Sequence, residues 1–178
     1  ADGLPVTCDV GVHHVHLSEM DVADFNANCH LIPPLRSQRD REAIRQALAD
    51  GTVDAICSNH APVDEDAKER PFQEAEPGAT GAELLLPLTL QWGRERGLGL
   101  LQTLARVTHA PAQILGIAGG AIRAGGPADL CVFDPDAHWQ VTPQTLNSLG
   151  KNSPYLGREV IGHVRYTLID GHLDFSCK

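Results

Sequence analysis

Two patterns of apolar and polar residues predict strands within the first 62 positions of the chain. Residues 6–10 alternate, which predicts a strand with Val6, Cys8 and Val10 on one face. Residues 52–62 (TVDAICSNHAP) are largely apolar and directly follow a helical pattern, as expected of a buried strand in a parallel sheet. The chain therefore predicts an α/β arrangement, with a helix between two parallel strands.

The helix between these strands carries signals at both ends. Residues 43, 44, 47 and 48 are apolar and share one helical face. Ser37 to Asp40 has the spacing of a capping box, as does Ser18 to Asp21 earlier in the chain. Gly51 is placed to end the helix.

A long polar segment and two further helices follow the second strand. Residues 63–81 are acidic and contain Pro and Gly, which predicts a loop of a length that is usually functional or mobile. Residues 82–97 predict a helix with Pro87 in its first turn. Residues 100–116 predict a second helix, interrupted near Thr108, which is placed to cap a short helix.

After residue 116 the pattern changes to short strands with Gly-rich turns, including a hairpin turn at Asp170 and Gly171. We place a boundary near residue 120, between an α/β part (1–119) and a small β part (120–178). Only two strong βα steps precede this boundary, whereas a complete (β/α)₈ barrel needs about 250 residues. We therefore expect the chain to be part of a larger unit.

Composition narrows the classes of partner. The formal charge of −9 argues against nucleic acid, because a binder needs a basic surface to displace counterions from phosphates. No apolar run approaches the roughly 20 residues of a membrane span, so no membrane is expected. The 5 cysteines are scattered without a C-x-x-C pair, so we expect reduced thiols and a cytoplasmic location.

His14 and His16 are the first candidate metal ligands. On a strand, residues two apart point to one face, as metal ligands do. The alternative is that they are surface or hydrogen-bonded histidines at a strand end. We favour this alternative, because a zinc site needs three or four convergent ligands and no carboxylate partner is evident for these histidines.

The stretch Ser58 to Pro62 (SNHAP) lies where α/β folds place their chemistry, at the carboxyl end of a strand and before a long loop. Asn59 stands there with a neutral amide, which neither binds zinc well nor transfers a proton. Pro62 alone would equally explain the end of the strand, and both interpretations stay open. Arg36 is available to hold a carboxylate, although a solvated arginine is the favoured interpretation.

In their order, these motifs resemble the C-terminal part of dihydroorotases of the amidohydrolase superfamily, over essentially the whole chain. VTCDVGVHHVHLSEMD is similar to the family's strand with Thr-Pro-His-His-Leu. The run from NCHLIPPLRS to SNHAP is similar to its Asn-Pro-Pro-Leu-Arg, helix and Thr-Asp-His-Ala-Pro-His. The likeness continues through PFQEAEPGATGAELLLPL, THAPAQILG, GGPADLCVFDP and GKNSPYLGREVIGHVRYTLIDGHL.

The resemblance implies the C-terminal part of a (β/α)₈ amidohydrolase barrel followed by a small β-sandwich module. It also implies that active members close carbamoyl aspartate to dihydroorotate with zinc. The family's His-x-His and most of its metal ligands belong to earlier strands, so no cofactor and no metal site are expected within this chain. The N-terminal half of the barrel, or a second copy of the chain, is expected to cover its open flank.

The resemblance also locates four site positions. Asn59 stands where the family has a catalytic aspartate, Val63 where it has a substrate-binding histidine, and Ile32 where it has an asparagine. Gly78 falls at a substrate-binding position. These replacements imply a catalytically degenerate homologue that is a structural partner of aspartate carbamoyltransferase in pyrimidine biosynthesis. The alternative is an active zinc-dependent cyclic-amide hydrolase that uses His60, or a residue outside the chain, as its base.

Overall fold

The computed structural model describes residues 5–177, and it opens with two short parallel strands. β1 (Asp9–Gly11) pairs with β2 (Ala55–Cys57), with Gly11 opposite Cys57. The elements between them are α1 (Val12–His16), two 3₁₀ segments (Glu19–Phe25 and Ala27–Cys29) and α2 (Gln38–Asp50). The parallel pairing across a helical connection confirms the predicted α/β class.

The ends of these helical segments follow the sequence signals. Ser18 and Ser37 each form both halves of a capping box with the aspartate three residues later. Gly51 ends α2 at a φ of +86°, a left-handed conformation that glycine adopts without a Cβ clash. The two capping boxes and the end of α2 are therefore confirmed.

Four helices follow β2. They are α3 (Glu65–Lys68), α4 (Leu85–Glu95), α5 (Leu100–Ala105) and α6 (His109–Leu115). The interruption near Thr108 is confirmed, but Thr108 does not cap α6, because its hydroxyl donates to the Leu104 carbonyl 2.8 Å away. Within residues 5–177 no helix has both the length and the apolar character needed to cross a bilayer.

The C-terminal part is an antiparallel sheet in the order β3-β4-β5. Its strands are β3 (Leu130–Gln140), β4 (Glu159–Ile169) and β5 (His172–Ser176). Asp170 and Gly171 both have positive φ, as a two-residue type I′ hairpin requires, and this turn is confirmed. β3 and β4 have 11 residues each and are longer than the short strands predicted.

Helix α4 packs against both parts of the chain. Towards the parallel strands it contacts α1 and buries Trp92 completely, with the indole N–H donating to the Arg45 carbonyl at 3.3 Å. Towards the antiparallel sheet it contacts β4, where a Cβ on Gly162 would lie 2.6 Å from a methyl carbon of Leu90. Gly162 also has a φ of +115°, a conformation that glycine adopts readily, so α4 and β4 pack closely here and α4 contacts both parts of the chain.

Three predictions about the two strand regions are wrong. β1 begins at Asp9, and Val6 is 77% exposed, because the Cys8 N–H donates to the Asp54 carboxylate and not to a strand neighbour. Residues 12–16 form a helix and not the continuation of the strand, since Val12 and Val15, three apart, are both fully buried. β2 is limited to residues 55–57, followed by a single bridge between His60 and Ala79.

Candidate functional site

The candidate site lies at the carboxyl ends of β1 and β2, where residues 12–14 and 58–60 leave the two paired strands. Gly11, the last residue of β1, lies between the side chains of His14 and Asn59. A Cβ on Gly11 would lie 3.3 Å from His14 Nδ1 and 3.4 Å from Asn59 Cγ. The imidazole of His14 and the amide of Asn59 therefore flank the same point, each within 3.4 Å of it.

Hydrogen bonding fixes the orientation of the His14 ring. Its Nε2 lies 2.9 Å from the carbonyl oxygen of Pro33. A carbonyl only accepts, so Nε2 carries the proton and donates, and the neutral ring keeps its lone pair on Nδ1. This assignment places an unprotonated nitrogen on the side of His14 that faces Asn59.

His60 has the opposite arrangement. Its Nδ1 accepts from the backbone N–H groups of Gly81 and Ala82, at 3.1 and 3.2 Å. The proton of the neutral ring is therefore on Nε2, and the exposed edge of His60 is a hydrogen-bond donor. In this tautomer Nε2 has no lone pair with which to take a proton or bind a metal.

Two further histidines, His13 and His16, lie on the same short helix α1. His13 is fully buried against the ring of Tyr155, with ring centroids 5.8 Å apart. Burial, and then its neighbours His14 and His16, lower the pKa of His13 to about 4. Neither His13 nitrogen has a hydrogen-bond partner among residues 5–177, although the nearby Ala79 backbone slightly favours the charged form.

His16 does not belong to the site. Its Nε2 donates to the carbonyl of Leu88, a residue of α4, at 2.9 Å. Burial, and then the positive charge of Arg45, lower the pKa of His16 to about 4. The predicted strand would have pointed His14 and His16 to one face, but α1 directs them to different partners.

The four site positions inferred from the resemblance are only partly brought together. Asn59 is half-buried at a positive φ of 45°, which asparagine tolerates. Val63 is 8% exposed and contacts Gly78, whose Cβ would lie 3.1 Å from a Val63 methyl carbon and 2.8 Å from the Ala61 carbonyl oxygen. Ile32 is 69% exposed and turns its side chain to solvent.

Sequence reasoning missed one polar residue, Asn152. Its side chain is buried and joins the segments that carry Val63 and Gly78. Asn152 lies in the motif GKNSPYLG, which the resemblance singled out. Its hydrogen bonds span 74 to 91 residues of sequence, so no local pattern indicated them. Arg36 makes only a surface ion pair with Asp40, at 3.6 Å.

The described residues do not fit a metal ion by themselves. Within residues 5–177 no three His, Cys, Asp or Glu side chains converge as metal ligands. At the strand ends, His14 offers one lone pair, His60 offers a proton, and Asn59 offers a neutral amide oxygen. A zinc site needs three or four nitrogen, sulfur or carboxylate ligands, so this donor set is incomplete.

The sequences of known relatives align with nearly the whole of this chain. It is 46% identical to a dihydroorotase-like protein of Pseudomonas aeruginosa over 173 residues, 97% of this chain and 41% of the relative. It is 41% identical to a dihydroorotase of Geotalea daltonii over 171 residues, 96% of this chain and 40% of the relative. The chain thus spans about two fifths of the length of these curated relatives.

Solved structures agree on the fold. The L-hydantoinase (dihydropyrimidinase) of Arthrobacter aurescens superposes with a TM-score of 0.86 at 28% identity, over 94% of this chain and 39% of that structure. The D-hydantoinase (dihydropyrimidinase) of a Thermus species superposes with a TM-score of 0.87 at 22% identity, over 98% of this chain and 40% of that structure. The fold described above is therefore a portion of the amidohydrolase fold. Since the amidohydrolase family also matches residues 3–173 of the sequence, the chain belongs to the amidohydrolase family.

Proposed function

We propose that the protein is a dihydroorotase-type amidohydrolase that has lost catalysis and serves pyrimidine biosynthesis in the cytoplasm as a structural partner of aspartate carbamoyltransferase. One observation carries the loss of catalysis: Asn59 places a neutral amide, not a carboxylate, beside the Nδ1 of His14 at the strand end. An amide has no basic lone pair near neutral pH, and losing a positioned general base removes about 10²–10⁴-fold of rate.

His60 does not compensate for Asn59. Its Nδ1 is occupied by two backbone N–H groups, and its Nε2 already holds a proton. To act as a base at Nε2, the ring would have to change tautomer and lose both backbone hydrogen bonds. These contacts support a positioned donor at His60 and not a general base.

The substrate-binding positions support the same proposal. Val63 is buried and apolar, and Ile32 is apolar and turned to solvent. Neither side chain can hydrogen-bond a carboxylate or a ring amide of dihydroorotate. A polar ligand group buried against Val63 would lack a partner, at a cost of about 1–3 kcal/mol, and Ile32 offers no polar atom to a ligand, so both replacements disfavour binding of the usual substrate.

The rival function is an active zinc-dependent cyclic-amide hydrolase. It is favoured by the relative named dihydroorotase, at 41% identity, and by the free lone pair on His14 Nδ1. In that case the base and further metal ligands would come from the parts of the longer relatives that this chain does not span. The two proposals predict opposite results in one assay.

The deciding experiment measures dihydroorotate turnover by the complete protein, with the Geotalea daltonii dihydroorotase as positive control. We expect no turnover, and we expect Asn59→Asp alone not to restore it, because groups that act as a unit are not additive. Turnover near the ordinary enzyme range of about 1–10³ s⁻¹ would refute the loss of catalysis. Co-purification with aspartate carbamoyltransferase, or a rise in its melting temperature, tests the structural role. Inactivity without association would refute that role alone.

A further inference from the structure

The amide of Asn152 joins two segments of the candidate site that are far apart in sequence. Its Oδ1 accepts from the Val63 N–H at 3.0 Å, and its Nδ2 donates to the carbonyls of Ala61 and Gly78 at 3.0 and 3.1 Å. Both amide hydrogens and one oxygen lone pair are thus used, in a side chain that is 6% exposed as a residue. The side chain therefore clamps the residues after His60 to the loop that ends in Gly78.

The backbone of Asn152 extends the same clamp. Its carbonyl accepts from the Thr80 N–H at 2.9 Å, and the Ala61 N–H donates to the Ala79 carbonyl at 2.8 Å. Thr80 directly precedes Gly81, the first of the two N–H donors to His60 Nδ1. The residue that donates to the Asn152 carbonyl is therefore next in sequence to a residue that donates to His60 Nδ1.

The fit around this clamp leaves no room for adjustment. A Cβ on Gly150 would lie 2.6 Å from Pro62 Cβ, and a Cβ on Gly78 would lie 2.8 Å from the Ala61 carbonyl oxygen. An aspartate at 152 would direct a carboxylate at two carbonyl oxygens, and a glutamine would be one methylene too long. An alanine would leave the buried Val63 N–H and two carbonyls without partners.

We propose that Asn152 is the positioning residue of this site, which holds the His60 ring with Nδ1 as acceptor and the Nε2 proton directed outward. Through Asn152, the connection between β3 and β4 becomes part of the site at the ends of the parallel strands. The inference concerns the ring of His60 alone, so it goes beyond the proposed function and does not depend on whether the site turns over a substrate.

The test uses the complete protein labelled with ¹⁵N in its imidazoles, with the His60 signals identified by their loss in His60→Gln. In the unaltered protein we expect a pyridine-type Nδ1 and a pyrrole-type Nε2 at His60. Asn152→Ala should give mixed tautomers at His60 and speed amide exchange at Val63 and Gly81 about tenfold or more. Asn147→Ala removes an exposed amide of the same connection that donates to Glu83, and it should change neither signal.

A purely structural role would alter stability or exchange but not the tautomer of His60. If His60 keeps its tautomer in folded Asn152→Ala protein, the proposal is overturned. Should that variant not fold, Asn152→Asp decides, since it keeps an acceptor for Val63 N–H and loses both donors; a mixed tautomer is again expected. Unfolding of both variants would also overturn the proposal, because Asn152 would then serve the whole fold and not this ring.

Discussion

The pH dependence of stability should depend strongly on His13. Its ring is fully buried, has no hydrogen-bond partner among residues 5–177 and has its pKa lowered from 6.5 to about 4. The unfolded chain therefore binds this proton more tightly than the folded protein does. The contribution of neutral His13 to the free energy of unfolding is present above about pH 6.5 and is lost as the pH falls towards 4.

The size of the effect follows from the pKa. One pKa unit corresponds to about 1.4 kcal/mol, so the full loss due to His13 is about 3 kcal/mol, of which about 2.5 kcal/mol is reached at pH 4.5. His13→Phe keeps a flat ring against Tyr155 and removes the titration. It should unfold at a similar denaturant concentration at pH 7.5, yet lose about 2.5 kcal/mol less than the unaltered protein at pH 4.5.

Urea unfolding at pH 7.5 and 4.5 measures this difference, and the comparison between variants cancels the titration of carboxylates. Part of the loss should remain in His13→Phe, because His16 also has a pKa of about 4. The exposed His172 provides the control, and His172→Gln should keep the profile of the unaltered protein. An equal loss of stability in the unaltered protein and in His13→Phe would refute the reasoning.

Four further substitutions, one of them a control, test three local features by thermal unfolding. Gly78→Ala should destabilise the fold by more than about 2 kcal/mol, because the new Cβ would lie 2.8 Å from a backbone oxygen. The control Gly97→Ala has open space around it and should cost about 1 kcal/mol. Equal costs for the two variants would contradict the close contact at Gly78. Ser37→Ala removes a capping box and should cost about 1 kcal/mol, and no change in melting temperature would mean that α2 does not need it. Glu83→Gln weakens three N–H bonds from Asn147 and Ser148 and should cost about 1–3 kcal/mol; an unchanged melting temperature would mean that these bonds do not stabilise the fold.

Features encoded within a few residues could be predicted from the sequence. The capping boxes, the end of α2 at Gly51 and the hairpin turn at Asp170 and Gly171 depend on local conformational preferences, and all are confirmed. Residues 12–16 could not be assigned in this way. Valines and histidines there suit a strand. In the fold, a helix buries both Val12 and Val15 in the core, and this packing outweighs the local preference.

The candidate site was predictable in position but not in orientation. Asn59 follows the second strand, as the sequence indicated. The proton positions on His14 and His60 depend on Pro33, Gly81 and other backbone groups that only the folded chain brings near. The role of Asn152 depends on contacts across 74 to 91 residues, which no local pattern contains.

The double packing of α4 affects how the chain can be dissected. A cut near residue 120 passes between the two sequence patterns, but it would strip β4 from α4 and leave Leu90 and Pro87 facing water. The same cut would remove Asn152 from the loop at Gly78. A recombinant piece ending at residue 119 would therefore lack one side of its own core and be prone to aggregate, and a soluble minimal unit must include β4 with α4.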